Sequence, residues 1–426
     1  MKVLIVGSGG REHALAWKIA KSNIVTEVFV APGNGGTAME DSLINIDIQS
    51  NDIDSLSKFA LKNDINLTII GPEEPLVNGI TDKFNSMNLN CFGPTRAASQ
   101  LEGSKEYMKE FLKRHNIPTA DYKSFVDPEN AIKYIKEKGC PIVIKADGLA
   151  AGKGVTVALN EQEAIHAINE CLVSNVFGNA GSKVVIEEFL TGEEASFIVL
   201  TDGNLIIPFA SSQDHKARDD NDLGPNTGGM GAYSPAPVVT DIIHGKILEQ
   251  IIEPTIYGLN KDNTTYCGFL YAGVMIDKEN NLKVLEFNCR FGDPETQPIM
   301  MRLDSDLAKV CYEATTGNLK QQSLKWKPGV ALGVVMASGG YPNSYKKGSV
   351  INGIPVENKK MKVFHAGTNL VNDELLSSGG RVLCVTALGD NTLEAQERAY
   401  ASAKIITWED CFYRSDIGYR AIERGK

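Results

Sequence analysis

The sequence predicts a multidomain protein of mixed class, α/β at its start and α+β beyond, and three observations carry that expectation. Its 426 residues exceed what one ordinary hydrophobic core organises. The first hundred or so residues alternate short apolar runs with amphipathic stretches, the arithmetic of βαβ units. From residue 191 the apolar runs lengthen, and a glycine-rich, charged stretch at 211–236 interrupts them. The expected organisation is an open parallel α/β domain over 1–103, a central α+β region of two subdomains over 104–327, and a small β-rich domain over 328–426. The smaller central subdomain is expected over about 121–190.

Element by element, "KVLIV" (2–6) reads as a strand and "REHALAWKIAKS" (11–22) as a helix with Ala14, Trp17 and Ala20 on its apolar face. "EVFVA" (27–31) and "NLTII" (66–70) are further strands, with a helix at 52–63 between them. A helix from about 75 to 87 precedes a strand at 89–93. Residues 104–120 are expected to form one helix, capped by Ser104 and ended by Pro118. Strand, helix, strand, turn, strand, helix and strand follow between 122 and 190. The tail offers strands at 329–338, 362–367 and 381–389, then a helix at 393–406.

Composition narrows the classes of function. The hydrophobic fraction of 42% and charged fraction of 23% are those of a soluble globular chain. No apolar run approaches the ~18 residues of a membrane span, so no membrane partner is expected. Eight cysteines without a Cys-x-x-Cys pair fit reduced thiols and a cytoplasmic location. A net charge of −10 disfavours nucleic acid as a partner but leaves room for small anions.

"VLIVGSGGREH" has the first two glycines of a dinucleotide fingerprint, Gly7 and Gly9, but Glu12 stands at the third position. The second strand also ends in Ala31 where a ribose-binding acid belongs, which argues against NAD. What survives is an anion site: Gly9, Gly10 and Arg11 at a helix start. "APGNGGTA", with Asn34 and Gly35, and "IGPEEPL", with Glu73, lie at the same sheet edge and suggest a phosphorylated sugar.

A nucleotide site is expected further on. Lys145 ends the strand "PIVIK", and the loop 147–154, containing Gly152, Lys153 and Gly154, reads as a flap between antiparallel strands whose N–H groups close over phosphates. Lys105 starts a helix, a cation at the unfavourable end unless an anion compensates. Phe189 and Leu190 beside Glu187, Glu188 and Glu194 suit a purine nucleoside, the acids taking its amino group and ribose hydroxyls. In "LKVLEFNCRFGDPETQ", alternation puts Glu286, Asn288 and Arg290 on one strand face. An acid and an amide two residues apart offer hard oxygen ligands to Mg²⁺ on nucleotide phosphates, and Arg290 can neutralise a transferring phosphoryl group.

Taken together, Lys105, Lys145, "DGLAAGKG", "EEFLTGEEAS" and "EFNCRFGDPETQ" resemble the ATP-grasp carboxylate–amine ligases. "GSGGREHALAW", "GPEEPLVNGI" and "QDHKARDDNDLGPNTGGMGAYSP" extend the similarity over essentially the whole chain to the phosphoribosylamine–glycine ligase family. The resemblance implies an ATP-grasp fold for the central region and a step of purine synthesis joining glycine to 5-phosphoribosylamine at the expense of ATP. It implies ATP and Mg²⁺ (or Mn²⁺) as cofactors, Glu286 and Asn288 as metal ligands, and Lys105 and Lys145 on the ATP phosphates. Arg290, Lys145 and Asp293 are then the expected catalytic residues. Asp214, Lys216, Asn226, Thr227, Gly228 and Gly229 of the 213–235 loop are expected to meet glycine and the sugar amine. One departure stands out: Val274 and Met275 occupy the place where many ATP-grasp enzymes carry another acidic metal ligand. The rival within the superfamily, another ligase or a carboxylase of the same pathway, is disfavoured by the 213–235 loop.

Overall fold

The computed structural model describes residues 1–150, 154–174, 176 and 178–425. Strand Lys2–Gly7 centres a five-stranded parallel sheet, flanked by Glu27–Pro32 and Leu67–Ile70, with Leu43–Asn45 and Cys91–Phe92 at the edges. Val3, Leu4, Ile5 and Val6 are fully buried. Burial on both faces is why these strands are apolar without alternation.

Three helices differ from expectation, each for a local reason. The first runs Gly10–Ile19 and buries Arg11, Glu12 and His13 as well as Ala14 and Trp17. A single apolar stripe does not describe it, because helix Thr296–Arg302 and strand Met361–His365 also pack against it. The helix expected at 75–87 divides into Glu73–Val77 and Ile80–Ser86 at Gly79, whose φ of 90° favours glycine. The helix from Lys105 stops at Arg114 because Asn116, at φ 56°, turns the chain ahead of Pro118.

The order of elements expected between 122 and 190 is observed. Strands Tyr122–Phe125, Val184–Glu188, Ile142–Ala146 and Val155–Ala158 form an antiparallel sheet in that spatial order. Helices Pro128–Lys138 and Glu161–Ile168 cover it. A second antiparallel sheet runs Ile206–Pro208, Glu193–Thr201, Gly268–Ile276 and Leu282–Asn288.

The segment 213–235, read from sequence as a loop, carries strands. Gln213–Asp214 and Gly231–Ser234 join Val330–Ser338, Arg381–Gly389 and Met361–His365 in one six-stranded sheet, with Cys411–Phe412 paired to Val330–Ser338. Ala217–Asp219 and Leu223–Asn226 make a separate hairpin. Strands this short, interrupted by glycine and proline, leave no period to read. Helix Thr392–Ala403 lies on the six-stranded sheet through Ala395, Ala399 and Ala403, which share one face at a spacing of four and are fully buried.

Candidate active site

A cleft of about 430 Å³ lies between the two central sheets and reaches the amino-terminal sheet at Arg11 and Glu73. Lys145, on strand Ile142–Ala146, enters from one wall: its Nζ is 2.9 Å from Glu187 Oε1 and donates to the Leu285 carbonyl at 3.0 Å. Lys105 is the first residue of helix Lys105–Arg114, fixed there because Ser104 Oγ accepts from the Tyr107 N–H. Its Nζ donates to the Gly148 carbonyl at 3.0 Å, across the cleft mouth onto the flap. Gly154 lines the cleft; Gly152 and Lys153 lie outside the described residues.

Opposite, Glu286 and Asn288 stand across from Gly273 and Tyr271 on the neighbouring strand, and both line the cleft. Gly273 makes room for the acids. A Cβ there would lie 3.3 Å from both Glu194 Oε1 and Glu286 Cγ. Burial pushes the Glu286 carboxyl up, but Lys216, Lys145, Lys105 and Arg290 outweigh it and hold it at about 2. Among the described residues no group of three or more His, Cys, Asp or Glu is disposed to hold a metal ion. The donor set is therefore one carboxylate and one amide. Hard oxygens of that kind suit Mg²⁺ or Mn²⁺ when phosphate and water complete the shell, and the Lys216 ammonium, 2.5 Å from Glu194 and 3.4 Å from Glu286, marks where these carboxylates already hold a cation.

The acids expected to receive the nucleoside are not free. Glu187 has Lys145 at one oxygen and Lys109 at the other, 2.8 Å away, and Glu188 is 2.5 Å from Lys283. Glu194 is taken by Lys216. Phe189 remains 37% exposed and lines the cleft beside Leu190.

On the substrate side, Asp214, Lys216, Asn226, Thr227, Gly228, Asp293 and Arg290 all reach the cleft. Arg290 lies past the end of strand Leu282–Asn288 instead of continuing it, yet its Nη2 still donates to Asn288 Oδ1 at 2.8 Å. Its other partners are Glu73 at 3.2 Å and Glu102 at 2.8 Å. Glu73 is thus committed to Arg290, which together with Arg11 outweighs burial and holds its carboxyl at about 2. Burial pushes Asp214 well up, its neighbours Glu295, Glu194 and Glu286 adding to the effect against Lys216. Asp293, among the expected catalytic residues, pairs with Arg381 at 3.2 Å and accepts from Gln297 at 2.8 Å.

At five glycine and asparagine positions the protein's own groups occupy the space or the N–H. The Gly9 N–H donates to Glu12 Oε2 at 2.6 Å, and Arg11 Nε donates to Glu12 Oε1 at 2.5 Å, so the anion balancing Arg11 comes from its own helix. A Cβ on Gly10 would meet Gln297. Asn34 caps helix Gly35–Met39 through the N–H groups of Gly36 and Thr37 and donates to the Ser8 and His365 carbonyls. Gly35 is packed beneath Leu375 and Thr368. Neither Asn34 nor Gly35 lines the cleft, and Gly229, at φ 112°, packs on Pro294 behind it.

Sequence reasoning missed Lys109, Glu102, Glu295, Tyr271 and Arg381. Glu102 accepts from the Cys289 N–H at 2.6 Å; burial, against Arg290, pushes its carboxyl up to about 7. Glu295 accepts from Ser196 at 2.9 Å. Arg381 donates to the carbonyls of Gly228 and Asp293, both at 2.6 Å. Of these only Glu295 carried a signal, standing within "GDPETQ".

Two antiparallel sheets closing on a cleft lined by Lys105, Lys145, Glu286 and Asn288 define the ATP-grasp class. The fold is shared with the biotin carboxylase–βγ-ATP complex of Campylobacter jejuni, at TM-score 0.74 and 16% identity over 97% of this chain and 92% of that one. Models of the phosphoribosylglycinamide synthetase family match its N domain at residues 1–102, its ATP-grasp (A) domain at 103–296 and its C domain at 331–420. The chain belongs to this family and is a ligase. It is similar to the crystal structure of phosphoribosylamine–glycine ligase from Thermotoga maritima, at TM-score 0.85 and 34% identity over 98% of this chain and 100% of that one. Phosphoribosylamine–glycine ligase of Escherichia coli O157:H7 is 59% identical over 426 residues, covering 100% of this chain and 99% of the relative. That of Vibrio cholerae serotype O1 is 58% identical over 425 residues, with the same coverage of 100% and 99%. No helix among the described residues is long and apolar enough to cross a membrane.

Proposed function

We propose that the protein joins glycine to 5-phosphoribosylamine, with ATP hydrolysed to ADP and phosphate, giving glycinamide ribonucleotide in purine biosynthesis. A carboxylate is a poor acyl donor because oxide would have to leave. Phosphorylation of glycine's carboxylate by ATP gives an acyl phosphate, and attack by the sugar amine then expels phosphate. Positioning and charge stabilisation supply the catalysis. The observation that carries this reading is the convergence of Lys105, Lys145, Glu286 and Arg290 with Asp214 and Lys216 on one cleft.

In this reading Lys105 and Lys145 bind the nucleotide phosphates, and Phe189 and Leu190 flank the base. Glu286 and Asn288 would hold Mg²⁺ or Mn²⁺, which neutralises phosphate oxygens. Arg290, held by Glu73 and Glu102, presents a fixed cation to the acyl phosphate. Asp214 and Lys216 offer a carboxyl and an ammonium to glycine's two ends. Asp293 acts through Arg381, keeping Gly228 in place. Arg11 is the cation offered to the sugar 5-phosphate, without help from the occupied Gly9 N–H. The reading is tested by ADP release, which is expected to require both glycine and freshly generated phosphoribosylamine. Turnover with bicarbonate in place of glycine would support the carboxylase alternative.

A further inference from the structure

Lys109 lies one turn beyond Lys105 on the same helix face and has no exposed surface. An apolar side chain would fill such a place without the desolvation cost of a charge. Its ammonium is 2.8 Å from Glu187 Oε2, donates to Thr119 Oγ1 at 2.8 Å and approaches the Ala120 carbonyl at 3.4 Å. Thr119 Oγ1 in turn donates to the Val284 carbonyl at 2.7 Å. On the far side, Glu187 Oε1 faces Lys145, which donates to the adjacent carbonyl, Leu285. A chain of polar contacts thus runs from residue 284 to residue 285 through two lysines and one carboxylate. It crosses both covalent links of the flap-bearing sheet, the entry at Thr119–Ala120 and the exit after Glu187.

We infer that Lys109 is a positioning residue for nucleotide binding, pinning Glu187 so that its carboxylate balances Lys145 without consuming the N–H groups that Lys145 turns to the cleft. This rests on the reading above that Lys145 meets phosphate. Two details support it. Glu187 Oε1 lies within ion-pair distance of Lys145 yet accepts no hydrogen bond. Two ammoniums share one carboxylate, so the buried triad keeps one positive charge directed at the cleft. Without Lys109 the carboxylate would swing wholly to Lys145 and cancel it. Lys109 touches no substrate in this scheme and acts only through Glu187.

The test uses the full chain and a non-hydrolysable ATP analogue, with binding measured by calorimetry. Lys109→Met is expected to weaken the analogue roughly 10-fold while the glycine KM stays within about twofold. Thr119→Val, which cuts the chain but keeps the ion pair, weakens it by less. The double variant Lys109→Met/Glu187→Gln removes the carboxylate that would cancel Lys145, so it should bind more tightly than Lys109→Met alone. A folded Lys109→Met with unchanged affinity, or a double variant whose losses add, overturns the inference. If Lys109→Met does not fold, the double variant decides: near-normal binding supports the proposal, and failure to fold shows a core role alone and overturns it. Lys145→Met separates the two levels. Unchanged analogue binding there defeats the phosphate reading, whereas weakened binding there with none in Lys109→Met defeats only the positioning role.

Discussion

The flap-bearing sheet and the rest of the molecule are held together differently. Ala131, Ile135, Ile142, Ile144, Val184 and Ile186 close a core that belongs to that sheet and its two helices. Elsewhere two cores are shared, and a third, with Tyr233, Val334, Val385 and Ala399, belongs to the six-stranded sheet, whose Val335 and Phe364 join a shared one. One cluster runs from Leu4 and Phe84 through Phe111 to Ile256 and Phe287; another runs from Trp17 through Phe269 and Ile299 to Val335 and Phe364. A unit with its own core can tilt as a body without exposing it, whereas regions that share a core move only by breaking it. Lys145, proposed above to meet nucleotide phosphate, therefore sits on the part of the molecule free to approach, and Glu286, Asn288 and Arg290 sit on the fixed frame.

The largest test strikes the frame. Arg414 is fully buried and holds Asp222 at 2.9 Å and Asp416 at 2.8 Å. Arg414→Met should cost about 3 kcal/mol through the charge-assisted hydrogen bonds lost by Asp416 and the Ala217 carbonyl, while Asp222 keeps Arg420 and Tyr419. Because the frame is one unit, the loss should appear in its single melting transition; a loss confined to the tail would break the comparison. Glu286→Gln comes next. Removing a charge from the metal shell should cut turnover by at least ~10²-fold with less effect on nucleotide binding. Near-normal turnover at saturating Mg²⁺ would discard the metal assignment.

Glu102 gives a pH test of intermediate size. Its carboxyl is raised in the folded state, so it favours folding at low pH and that contribution fades as pH rises through about 7. Relative to Glu102→Gln, wild type should lose on the order of 2 kcal/mol between pH 5 and 8. Parallel stability profiles for the two proteins would show that Glu102 does not titrate there. The smallest test isolates the flap-bearing sheet. Ile144→Val, at a buried position of its private core, should cost about 1 kcal/mol. Amide exchange on strands Ile142–Ala146 and Val184–Glu188 should quicken while exchange on strand Lys2–Gly7 holds steady. Equal changes in both would erase the distinction between the two regions.

Legibility from sequence followed periodicity. That Glu286 and Asn288 share a cleft wall was legible because alternation along a strand survives its neighbours, and that Lys145 reaches the cleft because a strand end and a glycine flap bracket it. The packing of Gly35 against Thr368 and Leu375 was not legible, because a glycine loop at a sheet edge looks the same in sequence whatever it faces. Glu12 breaks a dinucleotide fingerprint in the sequence, but its capture of the Gly9 N–H and Arg11 was not foreseen. Lys109 was invisible, since one lysine on an amphipathic helix reads as solvated. Arg381 reaches Gly228 from far along the chain, a pairing that no local pattern encodes.

The six-stranded sheet has a consequence for how the protein is made. Gly231–Ser234 pairs with Val334–Ala331, yet roughly a hundred residues separate the two strands, about 5–20 s of synthesis at usual ribosomal rates. Throughout that interval the segment carrying Asp214, Lys216 and Gly228 has no strand to complete it. The neighbouring turn is secured later still, when Arg414, Asp416 and Tyr419 emerge to bind Asp222 and Asn221. A nascent chain can therefore pair the strands that carry Lys145 and Glu286 well before the segment carrying Asp214, Lys216 and Gly228 gains its partner strand.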